Sequence, residues 1–215
     1  MDRYKETFET WNKIASLYQD KFMDLDLYDK SYDLICKSIS TKNARILDIG
    51  CGPGNITRYL LSKRPDFNIL GIDVAPNMIK LAEKNNPTAT FKILDCRQIR
   101  ELNTLYDGIV CGFCLPFLSP ADCTQLIADS QRLLSNNGLL YLSFVEGDPN
   151  KSDFKVGSNG DRVYFHFHKL DTLKKNLTLY SFEEPEVYYI NYEGTASPIE
   201  KHTVLISRKN PHQRD

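Results

Sequence analysis

The sequence predicts an α/β fold built on a buried parallel sheet, and three observations carry that prediction. An apolar run from Ala44 to Ile49 ends in three alternate glycines, Gly50, Gly52 and Gly54, then opens into a helical pattern from Asn55 to Lys63. That is a buried strand, a tight turn and a helix N-terminus in succession. Further apolar runs alternate with helical stretches, as strand–helix–strand units require. Three of the runs carry an acid at their C-terminal end: Asp48, Asp73 and Asp95.

The 215 residues suffice for one domain with a sizeable core. Apolar residues make up 41% and charged residues 26%, an ordinary soluble balance. A formal net charge of -1 offers no global basic field, which weighs against a nucleic-acid partner. No apolar run approaches the roughly 20 residues of a membrane span. The acidic, amphipathic N-terminus is unlike a secretory signal. A cytoplasmic setting is therefore expected, with the six cysteines as free thiols. Cys111-x-x-Cys114 has redox spacing, but no second pair follows at finger spacing.

Residues 1–43 read as helical. Phe8, Trp11, Ile14, Ala15 and Tyr18 fall at helical spacing, and Tyr28, Tyr32, Leu34, Ile35 and Ile39 suggest another helix before a turn at Ser40–Asn43. After them comes the glycine turn. Its glycines let backbone N–H groups approach a ligand, and the helix start adds unpaired donors. A dinucleotide fingerprint would place its third glycine three residues after the second. Asn55 stands there instead, and the third glycine comes one residue early, at Gly54.

The pattern acidic-x-Gly-x-Gly-x-Gly, from Asp48 to Gly54, resembles the class I S-adenosylmethionine-dependent methyltransferases. The resemblance implies a three-layer αβα sandwich with a seven-stranded, mostly parallel sheet in the order 3-2-1-4-5-7-6, closed by an antiparallel hairpin. It also implies that residues 1–43 form a helical lid on a single methyltransferase domain spanning 44–209. Asp48, Gly50, Cys51, Gly52, Gly54 and, at the end of the fourth strand, Cys111 are then expected at the cofactor. Within the lid, Tyr18 is expected to reach the methionine end, and Trp11 to border the acceptor.

Asn68 to Asp73 is the second strand. Asp73 lies about 20 residues past the turn, where an acid bonded to ribose hydroxyls is expected in nucleotide folds generally. Capping the helix from Pro76 is its competing role. By the resemblance, Val74 and Met78 border the adenine. Thr90 to Cys96 is the third strand and its end, where the resemblance implies that Asp95 accepts from the adenine amino group and Cys96 offers its N–H. Tyr106 to Cys111 is the fourth strand. The loop beyond it, Gly112 to Leu118, lies where open α/β sheets place their chemistry. It lacks the Asn/Asp-Pro-Pro-aromatic element of nucleobase and glutamine N-methylating enzymes, and Phe113 and Phe117 are candidates for an acceptor pocket.

Pro120 to Leu134 reads as a helix stopped by Asn136-Asn137-Gly138, and Leu139 to Val145 as the fifth strand. Glu146 to Asp161 is rich in turn residues, a candidate lid. Arg162 to His168 alternates, putting Tyr164, His166 and His168 on one strand face. Histidine titrates near neutrality, so His166 and His168 are candidates for a base or for acceptor orientation, with Tyr164 beside them. A metal site there lacks a carboxylate at short spacing. Leu170 to Leu177 is a short helix. Leu179 to Tyr192 and Lys201 to Ser207 are the final strands, with Gly194 to Pro198 as their turn. The tail, 210–215, is expected to be loose.

The function expected is in-line methyl transfer from S-adenosylmethionine to an O or N atom of a small molecule. A nicotinamide oxidoreductase, a non-catalytic cofactor-binding module and a nucleic-acid methyltransferase are the alternatives. The acceptor and the oligomeric state, a homodimer included, are not legible in the residues.

Overall fold

The computed structural model describes residues 3–157, 160–193 and 200–211. Its centre is β1 (Arg45–Ile49), in which every residue after Arg45 is buried. A strand apolar on both faces can only sit inside a covered sheet. β1 pairs in parallel with β2 (Asn68–Asp73) on one side and β4 (Tyr106–Cys111) on the other. β3 (Thr90–Ile93) extends the sheet beyond β2, and β5 (Leu134–Val145) extends it beyond β4. β9 (Glu200–Arg208) then runs antiparallel to β5, with β8 (Glu186–Tyr192) outside it. The order β3-β2-β1-β4-β5-β9-β8 is the expected one, since β8 and β9 are the sixth and seventh predicted strands of this sheet.

Alternation along the strands divides the core in two. Ile46, Val110 and Tyr141 face α3 (Asp29–Ser38) and α4 (Asn55–Lys63), packing on Tyr32, Ile35 and Leu60. Leu47, Ile109 and Leu140 face the opposite way, onto Leu126 and Ile127 of α6 (Pro120–Leu133) and Leu173 and Leu177 of α7 (Leu170–Leu179). α5 (Pro76–Asn85) covers the β2–β3 side through Ile79 and Ala82. This is the three-layer arrangement.

The N-terminal segment forms α1 (Arg3–Lys13) and α2 (Ala15–Phe22) as separate helices. They lie over α5, where the Asn77 N–H donates to Asn12 Oδ1 at 2.8 Å and Asn85 Nδ2 donates to Gln19 Oε1 at 2.8 Å.

The structure departs from expectation in four places. The strand expected over Leu179 to Tyr192 forms only as β8 from Glu186, because α7 runs on through Leu179. β3 stops at Ile93 because Asp95 caps a 3-10 turn, its side chain accepting from the Arg97 N–H. Leu134 already pairs with Tyr106, so β5 starts before the Asn-Asn-Gly corner, and the register shifts across it. The alternating segment after the insertion is a strand only over β7 (Arg162–Phe165), which pairs with β6 (Asp153–Val156) in a separate two-stranded sheet. The predicted turn at 194–198 and the tail residues 212–215 lie outside the described residues.

Gly50, Gly52 and Gly54 adopt φ of 66°, 53° and 82°. Gly54 precedes the first residue of α4, and a Cβ on it would sit 2.3 Å from Asn86 Nδ2. Asn86 cannot move freely, because that amide donates to the Gly54 and Ala82 carbonyls. Left-handed backbone costs a non-glycine residue roughly 1–2 kcal/mol before any clash. Gly54→Ala is therefore expected to lower stability by at least about that much. Urea denaturation should show an earlier midpoint at unchanged slope, and an unchanged midpoint would contradict the packing described.

Candidate active site

The carboxyl ends of β1, β2 and β4 open into a cavity of about 620 Å3, roofed by α1, α2 and the β6–β7 hairpin. Gly50, Cys51 and Gly52 form its floor, and Asp73, Val74, Met78, Asp95 and Cys96 line one side. Trp11, Tyr18, Phe113 and Phe117 line it as well. Twelve of the residues singled out in the sequence thus meet around one space. Gly54 and Cys111 do not line it: Gly54 lies behind the turn against α5, and Cys111 is fully buried beneath the loop that follows it.

The turn is held in shape by side chains as well as by its own backbone. Asp73 Oδ2 accepts from the Gly52 N–H at 3.0 Å, and Asp73 Oδ1 accepts from the Ala75 N–H at 2.9 Å. The carboxylate therefore holds the turn that leads into α5 and ties it to the glycine turn, yet keeps lone pairs for a ligand. Burial pushes its pKa up, against the pull of those backbone bonds. Tyr18 lies over the turn, its ring carbon 3.6 Å from where a Gly52 Cβ would be. Its phenol is pushed up to about 12 by burial, then by the charges of Asp73 and Asp48, so it stays protonated.

Asp48 is completely buried and does not reach the cavity surface. Oδ2 accepts from the Thr57 hydroxyl at 2.7 Å, which fixes α4 to β1, while Oδ1 has no partner. Asp95 lines the cavity, but Arg97 holds it: Nε lies 3.0 Å from both oxygens and Nη2 lies 2.6 Å from Oδ2. Beyond them Cys96 Sγ sits 3.7 Å from Cys114 Sγ. A concave floor of glycine backbone with the Asp73 carboxylate at its side has room and acceptor oxygens for a nucleoside.

Residues 46–138 match a family model described as a methyltransferase domain. The chain is 29% identical over 147 residues to the carboxy-S-adenosyl-L-methionine synthase of Campylobacter hominis, covering 65% of this chain and 62% of that one. It is 33% identical over 111 residues to the malonyl-[acyl-carrier protein] O-methyltransferase of Acetivibrio thermocellus, covering 50% and 35%. Among solved structures, a SAM-dependent methyltransferase from Methanosarcina mazei superposes with a TM-score of 0.69 at 22% identity, over 82% of this chain and 97% of that one. Residues 46–138 thus carry a methyltransferase domain, and the fold is the one that S-adenosylmethionine-dependent methyltransferases share. The chain spans less than two thirds of the length of the curated relatives it matches.

The half of the cavity away from Asp73 is aromatic. Phe113 holds a left-handed φ of 53°, unusual for a bulky residue, with its N–H bonded to Ser143 Oγ at 2.9 Å. That backbone places its ring 4.8 Å from His202 and 5.0 Å from Tyr28. Strain of this kind concentrates at ligand sites. Trp11 packs edge-on against both Tyr18 and Phe117, so the N-terminal helices bridge the two halves.

Tyr164, His166 and His168 are not brought to the cavity. The backbone leaves strand geometry after Phe165, where the His166 N–H donates to the Pro116 carbonyl at 2.7 Å. Both imidazoles turn into the protein and are 5% and 4% exposed. His168 Nε2–H donates to the Leu115 carbonyl at 2.9 Å, and Tyr164 Oη–H donates to the Ser152 carbonyl at 3.1 Å. Burial pushes His166 down to about 4 and lowers His168, so both are neutral props for the Leu115–Phe117 loop.

The histidine that does line the cavity is His202. The sequence carried a usable sign: an antiparallel last strand enters the sheet at the edge where the parallel strands end. Val145, the last residue of β5, indeed pairs with His202.

Asp48 makes stability depend on pH. Burial pushes its carboxyl up to about 6, the Thr57 bond opposing and Asp73 adding to the rise. The unfolded value is about 3.9, so the folded chain holds this proton more tightly. The resulting stability is complete below about pH 4 and is lost as pH rises through about 6. The loss amounts to about 3 kcal/mol. Asp48→Asn cannot ionise, so wild-type stability relative to this variant should fall by that order between about pH 4 and about pH 7. Urea titrations at the two pH values measure it, and a constant difference would contradict the burial.

Proposed function

We propose that this methyltransferase binds S-adenosylmethionine across the glycine turn and transfers its methyl group to an oxygen or nitrogen of a small-molecule acceptor. The observation that carries the reading is the continuity of one cavity, from the Gly50–Gly52 turn and Asp73 to the aromatic wall of Tyr28, Phe113 and His202. A donor at one end and an acceptor at the other would share a space with little water.

When bound, the cofactor supplies an already activated methyl group. The chain's part is alignment and exclusion of water. Asp73 would take the ribose hydroxyls, and the Gly50–Gly52 backbone the amino-acid end. Asp95 has both oxygens engaged by Arg97, so an adenine amino group would share that acid with the guanidinium. Residues 1–43 act as the lid in this reading. The roof is clasped by polar contacts: Thr10 Oγ1–H donates to the Arg162 carbonyl at 2.9 Å, and Lys13 pairs with Asp161 at 2.8 Å. A roofed cavity supports a small acceptor over a polymer, and the net charge of -1 supports no nucleic acid. No helix among the described residues is long and apolar enough to cross a membrane, and all six cysteines are free thiols, which supports a cytoplasmic setting.

One of the relatives named above is a synthase, a reminder that the fold alone does not set the reaction. Calorimetric titration with S-adenosylmethionine, S-adenosylhomocysteine and NADH tests the cofactor reading. Binding of both sulfur compounds without NADH is expected, and binding of NADH alone would overturn it. Asp73→Ala should weaken S-adenosylhomocysteine binding about tenfold or more, because losing a bond to a charged group costs about 1.5–3 kcal/mol.

A further inference from the structure

The aromatic wall contains a chain of hydrogen bonds that methyl transfer to a pre-ionised acceptor would not need. Tyr28 Oη lies 2.7 Å from His202 Nδ1, and His202 Nε2 lies 3.4 Å from Glu200 Oε2. All three residues line the cavity. A carboxylate only accepts, so Nε2 carries the proton and Nδ1 is left to accept from the Tyr28 hydroxyl. The imidazole cannot easily swing away. It lies parallel to the rings of both Tyr28 and Tyr192, at an interplanar angle of 10° to each, and Phe113 packs against it.

We propose that Tyr28, His202 and Glu200 form a proton relay, and that the acceptor is a hydroxyl on an aromatic ring. This rests on the methyltransferase reading above. Tyr28 is the catalytic residue, the one whose hydroxyl meets the acceptor, and His202 and Glu200 act through it. As the acceptor oxygen bonds to the methyl carbon, its proton passes to Tyr28 Oη and the Tyr28 proton passes to His202 Nδ1. The carbon–sulfur bond breaks with its electron pair remaining on sulfur, and the positive charge left on the imidazolium sits beside Glu200. After product leaves, His202 returns the proton through Tyr28 to water.

The acceptor class follows from what such a relay is for. A carboxylic acid is ionised at neutral pH and has no proton to lose, whereas a phenolic hydroxyl, with a pKa near 10, keeps its own. The wall also suits a planar ring, since Phe113 and Tyr28 present tilted aromatic faces for edge and offset contacts. The groups facing His202 are Tyr28 ahead of α3, Tyr192 on β8, Glu200 on β9 and Lys155 on β6, which pairs with Glu200 at 3.3 Å. Burial lowers the pKa of His202 and Glu200 opposes that, so near neutral pH the relay rests with an unprotonated imidazole ready to receive.

The test has two parts on the full-length protein. Histidine-selective 15N NMR of the S-adenosylhomocysteine complex, in a chain with only four histidines, should show His202 as the neutral Nε2–H tautomer with Nδ1 hydrogen-bonded. The hydrogen-bond shift at Nδ1 should vanish in Tyr28→Phe, with His202→Gln giving the assignment. Methyl transfer is then compared among phenol, catechol, 4-nitrophenol, aniline and benzoic acid. Transfer to the protonated phenols should fall about hundredfold in Tyr28→Phe and in His202→Gln, as loss of a positioned base predicts. Above the pKa of 4-nitrophenol, the loss in the same variants on that already ionised acceptor should be at least about tenfold smaller than on the protonated phenols. Glu200→Gln should give an intermediate loss, and S-adenosylhomocysteine affinity should be unchanged in all three variants. An equal loss on ionised and protonated phenols would overturn the relay. Transfer to aniline or benzoic acid alone, or to none of the panel, would overturn the acceptor class. Failure to bind S-adenosylhomocysteine at all would instead sink the cofactor reading.

Discussion

The structure depends on a constraint at one edge of the sheet. β1 is buried on both faces, so it must be central, and its neighbours β2 and β4 run parallel to it. Three strands then release their chains at the same edge within a few ångströms of each other. Each must turn sharply to reach a helix or loop, which leaves backbone N–H groups there without partners in the sheet. Asp73 takes two of them, from Gly52 and Ala75, and so stitches the first turn to the second. The cavity is the space that remains above these turns.

That edge also explains the division of labour among the acids. Asp48, Asp73 and Asp95 look equivalent in the sequence, each at the end of an apolar run. In the fold they differ by depth. Asp48 is sealed under the turn and spends itself on Thr57. Asp73 is half-buried at the surface of the cavity, where a ligand can reach it. Asp95 is already committed to Arg97. Depth, rather than residue type, decides which carboxylate a ligand could reach and which is held by the scaffold.

The far end of the cavity is assembled from distant pieces of chain. Tyr28 comes from the N-terminal segment, Phe113 from the loop after β4, and His202 from the last strand. These meet because β9 enters the sheet in the opposite sense to β5, bringing its first residues to the edge where the parallel strands finish. An all-parallel sheet would have placed His202 at the opposite end of the molecule. The antiparallel closure thus delivers the imidazole to the aromatic wall.

The strands, their parallel pairing and the residues at the glycine-turn end of the cavity were legible from local patterns. Buried runs, alternate glycines and terminal acids are short-range signals, and Gly52 and Asp73 come together because of where their two strands end. The same reasoning failed at His166 and His168. Their alternation with aromatics suggested a strand face, but a bond from the His166 N–H to the Pro116 carbonyl bends the chain and turns both rings inward. Nothing within a few residues of them reports that contact. By itself, then, the sequence determined which elements form and which edge of the sheet carries the cavity, because periodicity and turn chemistry are local. Only the tertiary structure decided which histidine faces the cavity, because that depends on the sense of β9 against β5 and on rings contributed from Tyr28 and Tyr192.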